Sequence, residues 1–528
     1  MYDYIVIGSG SGGSVIASRL TEDPNVSVCL LEAGKPDKSI LIHAPIGVAA
    51  ILPRKLFNWG FLTVPQPHLK NRKGYQPRGK TLGGSSSINA MLYVRGHKSD
   101  YDDWAALGNT GWSFEDVLPY FKKAENNERG SDDLHGTGGP LNVADIRSSM
   151  PISDVFLDAA MQVQFPSSTD FNGPTQEGVG SYQVTQKNGE RWSAAKGYLT
   201  PNLSRPNLNI ITGAQATKLL FEEKRATGLK YVKDNKTHTI TARGEVILCG
   251  GAFATPQLLL LSGIGPGAEL TKHGIEIVHE LPGVGQNLQD HIDYVTAYKS
   301  PSRDTMGISL GGGVDLIKGI FQWRRDRTGI ISTPMAERGA FLRSDPGLTR
   351  PDIQLHFVIG PLDDHARKTH LGHGFSCHAC VLRPKSRGYV GLENKDPLAE
   401  PLIDPNFLSK SEDMDTLVKG IKMMQKILEA PAFDHYRGKP LYPVDMTSDD
   451  DIKNAIRDRA DTVYHPVGTC KMGTDPLAVV SPELKVHGIE GLRIADASIM
   501  PTLIGGNTNA PTIMIAEKGA DMIKADTA

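Results

Sequence analysis

Apolar residues at the start of the chain fall in two short runs, within Tyr2–Gly8 and Val26–Glu32, with a glycine turn and a helical pattern over 15–20 between them. Short continuous runs rich in β-branched residues and bounded by glycine read as buried strands. Strand, helix and strand over 2–32 therefore predict a βαβ unit, and with it a parallel sheet. The pattern returns at Val246-Ile247-Leu248-Cys249, followed by Gly250-Gly251 and a helix expected to be capped by Thr255, to begin at Pro256 and to stop at Gly263. It returns again at Leu492-Arg493-Ile494-Ala495, with a closing helix over 511–523. The first domain is thus expected to be discontinuous, assembled from 1–150, 190–295 and 455–528. The stretches 151–189 and 296–454 differ. There Ile353-Gln354-Leu355-His356-Phe357-Val358 alternates apolar with polar, which predicts a sheet with one face covered. The fold class is α/β, or α+β taken as a whole.

The length of 528 residues exceeds what one core supports, in keeping with two domains. Basic and acidic residues nearly balance, 57 against 59, so the chain lacks the basic footprint that nucleic acid requires. Five cysteines in so long a chain predict a reducing compartment, and the first residues read as a strand rather than a secretory signal, so the cytoplasm is the expected location. Cys377 and Cys380 form a lone CxxC inside Phe375-Ser376-Cys377-His378-Ala379-Cys380-Val381-Leu382. This reads as a buried strand whose two sulfurs diverge, so no metal site is expected.

Gly8-Ser9-Gly10-Ser11-Gly12-Gly13 fits GxGxxG between a strand and a helix. Gly8 allows a tight turn, Gly10 lets backbone approach a pyrophosphate, and Gly13 lets helix and strand pack closely. The free N–H groups of the helix N-terminus suit an anion. Glu32, with Ala33 after it, ends the second strand nineteen residues beyond Gly13, where a carboxylate meets ribose hydroxyls. A second nest lies in Arg78-Gly79-Lys80-Thr81-Leu82-Gly83-Gly84-Ser85-Ser86-Ser87-Ile88-Asn89-Ala90. Two nests suggest one long cofactor held at two places.

Residues 78–96, Gly251-Ala252-Phe253-Ala254-Thr255-Pro256, Ser262-Gly263-Ile264-Gly265-Pro266, Gly283-Val284-Gly285-Gln286-Asn287-Leu288-Gln289-Asp290-His291 and the segment around His465 resemble, in order, the motifs of the glucose–methanol–choline (GMC) oxidoreductases. The resemblance implies a Rossmann-like FAD-binding domain and a discontinuous substrate domain built on a large antiparallel sheet. It implies that Gly8, Ser9, Gly10, Ser11, Gly12, Gly13, Glu32 and Ala33 hold the ADP half. Leu82, Gly83, Gly84, Ser86, Asn89 and Ala90 would lie along pyrophosphate and flavin, and Ala216 on the adenine side. Asp496 and Ala497 would sit by the ribityl chain, with Thr508, Asn509 and Thr512 at the flavin. Relatives that hold FAD covalently use a histidine where this chain has Gln76, so non-covalent FAD is expected.

Alcohol oxidation needs a base for the hydroxyl proton, a group that aims the oxygen and a hydride acceptor. His465, in Tyr464-His465-Pro466-Val467-Gly468-Thr469, is the candidate base, because an imidazole exchanges protons near neutral pH. Asn509 either caps the last helix or, as the resemblance implies, stands beside His465 and hydrogen-bonds the substrate oxygen. Glu337 and Tyr464 are the candidate substrate contacts, Glu337 being either a partner for a cationic alcohol or an ion pair with Arg338. Residues 46–63, with Leu56, Phe57, Trp59 and Phe61, form an apolar lid over the flavin or pack between domains.

The wording, including Thr185-Gln186-Lys187-Asn188-Gly189, is closest to bacterial FAD-dependent medium-chain alcohol dehydrogenases and choline dehydrogenase-like proteins. It implies oxidation of a primary alcohol to an aldehyde, with electrons passed to a quinone or oxygen. Choline or sorbose dehydrogenase activity, an aryl or furfuryl alcohol oxidase and a redox-silent hydroxynitrile lyase are the alternatives. Residues 316–325 are apolar with a basic end, as in a segment lying on the inner face of a membrane or in an ordinary surface helix or oligomer contact.

Overall fold

A computed structural model describes residues 1–148 and 150–527. Among these residues two seven-stranded sheets face each other across the site. In chain order their strands are β1 (Tyr2–Ile7), β2 (Val28–Glu32), β3 (Gly178–Ser181), β4 (Leu208–Thr212), β5 (Gln215–Glu222), β6 (Arg225–Lys233), β7 (Lys236–Leu248), β8 (Ile292–Ser300), β9 (Gly307–Ile308), β10 (Ala336–Leu342), β11 (Ile353–Val358), β12 (Gly372–Val381), β13 (Asp461–Thr462) and β14 (Leu492–Ile494). The helices used below are α1 (Ser11–Leu20), α2 (Gly251–Leu261), α3 (Leu310–Asp326), α4 (Ser411–Leu428), α5 (Asp449–Arg459) and α6 (Asn509–Thr527).

The first sheet runs β4-β2-β1-β7-β6-β5, with β14 also on β7. Strands β4, β2, β1, β14 and the end of β7 are parallel, as the apolar runs predict, while β5, β6 and the start of β7 form an antiparallel meander. Ile5, Val6, Leu30 and Ile247 pack against Val15 and Ile16 of α1 and Ile513 and Ile515 of α6. Helix α2 begins at Gly251, earlier than Pro256 suggests. Pro256 has no N–H to give the carbonyl four residues back. Thr469 Oγ1 serves the Ala252 carbonyl instead, at 2.7 Å, so the helix passes through the proline.

The second sheet is antiparallel, in the order β13-β8-β12-β11-β10-β3, with β9 on β12. Leu355, Phe357, Cys377 and Ala379 point to Leu417, Ile421 and Met424 of α4. The other face carries Val358, Cys380 and Phe341, packed with Met91 and Leu92. Cys377 and Cys380 thus belong to cores on opposite faces. Every residue of β11 is buried, so the alternation there does not mark one solvated face as expected. Its polar positions turn toward the first domain.

Two expected domain boundaries shift. The division at 295 cuts β8, and 455–462 belongs with the substrate-side sheet, because Ile456 and Ala460 lie in that sheet's core and β13 pairs with β8. Helix α3 leaves Leu310, Val314, Ile317 and Phe321 exposed along one side. No described helix is long and apolar enough to cross a membrane.

Candidate active site

A cavity of about 380 Å³ runs between the two sheets, from Glu32 and Ala216 at one end to His356, His465 and Asn507 at the other. At the first end the backbone makes the site. Gly8 has φ +93°, open to glycine at little cost, and a Cβ on Gly13 would stand 1.8 Å from the Gly8 carbonyl oxygen. A Cβ on Gly10 would meet nothing within 4 Å, so this glycine leaves open space for a ligand. The second nest abuts the first: a Cβ on Gly84 would lie 2.7 Å from Gly10 Cα, and the Gly83 N–H donates to Ser9 Oγ at 3.2 Å. Glu32 accepts from the Ser9 N–H, Ser9 Oγ and the Gly34 N–H, which secures the turn. Its burial pushes the carboxyl's pKa up.

Most of the residues expected to hold a cofactor line this cavity. Ser9, Gly13, Leu82, Gly83 and Ser86 stand behind its wall. Ser9 is turned onto Glu32, and Ser86 Oγ donates to the Gly83 carbonyl while accepting from the Ala194 N–H, so both brace the nests. Asn89 Oδ1 is held by Arg191 Nη1 at 2.8 Å. Burial alone pushes this arginine's pKa down to about 9. Asp496 accepts from the Gly251 N–H and Thr255 Oγ1, tying the start of α2 to the segment that carries Ala497.

At the other end side chains make the site. His465, 8% exposed, has its backbone N–H and both ring nitrogens engaged. Its N–H donates to Asp290 Oδ1 at 2.9 Å, its Nδ1 lies 2.9 Å from His291 Nδ1, and its Nε2 lies 3.1 Å from Asn507 Nδ2. The tautomers follow from the acceptors. His291 Nε2 lies 3.0 Å from the Leu382 carbonyl, which only accepts, so that nitrogen carries the hydrogen. Burial pushes His291 down to about 4, so its neutral ring presents a lone pair at Nδ1. His465 must then donate from Nδ1, which leaves the lone pair on Nε2. Asn507 is oriented by Gln354 Nε2, which donates to its Oδ1 at 3.1 Å, so the amide N–H faces that lone pair. Burial first, and then the neighbouring His291, His356 and Arg78, hold His465 well below the usual imidazole range. Its free base is the resting form at neutral pH.

Three expectations need correction. Asn509 does not pair with His465: its Oδ1 accepts from Ser11 Oγ at 2.6 Å, joining the N-termini of α1 and α6, and Asn507 in the segment before the helix takes the other position. Glu337 does not reach the cavity, nor does it pair with Arg338, which binds Asp154. Its carboxylate is fully buried and accepts from the hydroxyls of Ser148, Ser153 and Thr333. Tyr464 does line the cavity, but its hydroxyl is engaged by His365 Nδ1 at 2.7 Å, and its carbonyl accepts from Arg78 Nη2. In the segment 46–63, Trp59 and Phe61 stack at 5.4 Å and line the cavity, whereas Phe57 packs with Ile42, Ile51 and Ile88, and Leu56 is exposed.

Family models of the GMC oxidoreductases match residues 2–293 and 384–516. The chain belongs to the GMC oxidoreductases. This GMC oxidoreductase is 49% identical to an alcohol dehydrogenase [acceptor] of Pseudomonas putida, covering 99% of the chain and 96% of that protein. It is 42% identical to an oxygen-dependent choline dehydrogenase of Brucella ovis, again over 99% and 96%. A solved FAD-dependent oxidoreductase from Chaetomium thermophilum, 28% identical, superimposes with a TM-score of 0.90 over all of both chains.

The cofactor of this family is FAD, and the geometry fits it: two abutting glycine nests, an open approach at Gly10, and a cavity that continues from them to the imidazole cluster. Sequence reading missed Asn507, His291, Asp290, Arg191, His356 and His378. His291 and Asp290 end a segment that resembles a family motif but was given no role, and the two polar strand histidines carry a signal only in the alternation of β11 and β12.

Proposed function

We propose that this GMC oxidoreductase oxidises an uncharged primary alcohol to an aldehyde. The observation that carries the reading is the lone pair of His465 Nε2 facing the Asn507 N–H in the cavity. A hydroxyl that displaces the Asn507 N–H from this lone pair gives its proton to His465 Nε2 and accepts from the freed Asn507 N–H. The dyad with His291 keeps the base nitrogen turned to the substrate, and the Asp290 contact fixes the backbone that carries it. FAD, when bound, supplies the hydride acceptor. Thr508, Asn509 and the amides opening α6 line the same cavity and favour negative charge there. Gln76 offers no nucleophile for covalent attachment, which supports dissociable FAD.

We take the acceptor to be a quinone reached at a membrane surface. The support is the exposed row of Leu310, Val314, Ile317 and Phe321 on α3, followed by Arg324 and Arg325. Five free cysteines support the cytoplasm as the compartment. Co-sedimentation of the holoenzyme with anionic vesicles, lost in Ile317→Glu/Phe321→Glu, checks the surface; sedimentation indifferent to both changes removes it.

The test of the chemistry is His465→Ala. Anaerobic flavin reduction by alcohol should slow by about 10²- to 10⁴-fold, with the absorption of bound FAD retained. Reduction at the unaltered rate would remove the base assignment.

A further inference from the structure

The proton transfer above makes no use of two buried imidazoles at the same end of the cavity. His356 on β11 and His378 on β12 are directly opposed across the strand pair, with ring centroids 6.4 Å apart and edge to face. Both line the cavity, at 5% and 7% exposure. His378 Nδ1 is bound to Asp293 Oδ2 at 2.6 Å, but His378 Nε2 and both nitrogens of His356 have no hydrogen-bond partner among the described residues. A polar atom left unpaired in the interior is costly, and a wall meant only for a hydrocarbon chain needs no imidazole.

The character of the missing partner follows from what surrounds these rings. The one carboxylate that sequence reading offered for a cationic head, Glu337, is turned onto three hydroxyls outside the cavity, and Asp293 is engaged by His378. Among the described residues His356 has no anion beside it, and its neutral ring presents one N–H and one lone pair. One hydroxyl cannot reach both nitrogens of a single ring, but it can bridge the two rings. His378, whose Nδ1–H is held by Asp293, presents its unpaired Nε2 to the hydroxyl hydrogen, and the His356 N–H is left to donate to the hydroxyl oxygen. Position follows from the strand. Gln354, two residues before His356 on the same face, is the residue that holds Asn507. Same-face neighbours on a strand stand about 7 Å apart, so the two polar seats are separated by a few carbons.

We propose that the substrate carries a second hydroxyl, beyond the one deprotonated at His465, and that His356 and His378 receive it. The substrate class is then a diol or hydroxy-substituted primary alcohol, not a plain alkanol or a quaternary ammonium alcohol. This rests on the alcohol-oxidation reading.

The experiment follows anaerobic flavin reduction in the holoenzyme by stopped flow. It sets terminal diols of four and five carbons against straight-chain primary alcohols with the same number of heavy atoms. The diols should be favoured in kcat/KM by about tenfold or more, since a site built to pair a hydroxyl discriminates strongly against its absence. The gain should lie in the half-saturating concentration more than in the limiting rate. His356→Leu and His378→Leu should each bring the diol-to-alkanol ratio toward one, and His356→Gln, which keeps a donor and an acceptor, should restore part of it. Equal use of both series by the wild type, or a preference that survives both leucine variants, overturns the proposal. Should His356→Leu lose its flavin, the wild-type ratio and the His378→Leu ratio still decide. Reduction by alkanols alone removes only the second hydroxyl, whereas reduction by neither series removes the oxidation reading and this inference with it.

Discussion

The two ends of the cavity are made of different material. The end at Glu32 is backbone: a left-handed Gly8, and Gly12 and Gly13 packed so tightly that an added Cβ would stand 2.1 Å from the Ala495 oxygen or 1.8 Å from that of Gly8. The end at His465 is side chain, contributed by segments at 290–291, 354–356, 378–382, 465 and 507. A site made of backbone leaves no room for an added atom where its glycines pack, as at Gly12 and Gly13, but needs few partners. A site made of side chains tolerates changes of shape but depends on each ring being held in one tautomer.

The largest expected effect lies at the backbone end. Gly13→Ala sets a methyl group against a main-chain carbonyl that cannot swing aside, and overpacking of that kind costs about 1–3 kcal/mol or more. The expected result is a loss of bound FAD together with a lowered Tm. Gly10→Ala, where the added atom meets nothing, should keep the Tm of the apo-protein and weaken FAD binding alone. Flavin-to-protein ratios and thermal denaturation check both. Equal behaviour of the two variants would erase the contrast between a packing glycine and an approach glycine.

Next come two asparagines two residues apart. Asn507→Ala should slow flavin reduction by about 10- to 100-fold with FAD content unchanged, since it removes one preorganised donor. Asn509→Ala should mainly loosen the cofactor, because its partner is Ser11. The reverse pattern would return the substrate-facing role to Asn509. His291→Leu acts through the base. Without the acceptor at Nδ1 the imidazole is free to choose its tautomer, and reduction should slow by roughly tenfold. The loss of the His291 contribution also lets the pKa of His465 rise. Activity needs the free base, so the acid limb of kcat/KM, well below pH 6.5 in the wild type, should move up toward it.

The same contrast explains what the sequence disclosed. The parallel sheet and both nests are written in contiguous residues: apolar runs, a glycine spacing, an acidic residue at a fixed distance. The geometry at Gly8, Gly10 and Gly13 follows from that spacing, because each role is local. His465 was legible through its motif, but its partner was not. Asn507 and Asn509 are the same residue type in one short segment, and only the contact of α6 with Ser11 decides which of them faces the base. Glu337 misled for a related reason: a carboxylate on a substrate-side strand suggests a ligand, until hydroxyls from 148, 153 and 333 are seen to surround it. The alternation of β11 predicted a solvated face. It marks instead the face that Gln354 and His356 present to the cavity, and an interior polar surface has the same period as a wet one.

The smallest expected effect is thermodynamic, and it separates the buried histidines from the carboxylate beside them. Burial lowers His291 to about 4 and His356 to about 3, below the value of about 6.5 that an imidazole has in the unfolded chain. As pH falls below 6.5 the unfolded state therefore takes up protons that the native state refuses, and each histidine removes up to about 1.4 kcal/mol of stability per pH unit. Asp290 acts in the opposite sense. Burial raises it to about 6, so between pH 6 and its unfolded value near 3.9 the native state binds the extra proton and gains stability as pH falls. One carboxyl thus offsets about one imidazole, while the others, His465 included, leave a net loss of stability as pH falls. In holoenzyme denaturation between pH 6 and 4, His356→Leu should lower the slope by about one proton and leave a flatter profile. Asp290→Asn should steepen it, since the imidazoles then act unopposed. A slope unchanged in His356→Leu would mean that this ring is already charged in the native protein, and the side-chain end would then be an electrostatic site instead of a neutral hydrogen-bonding one.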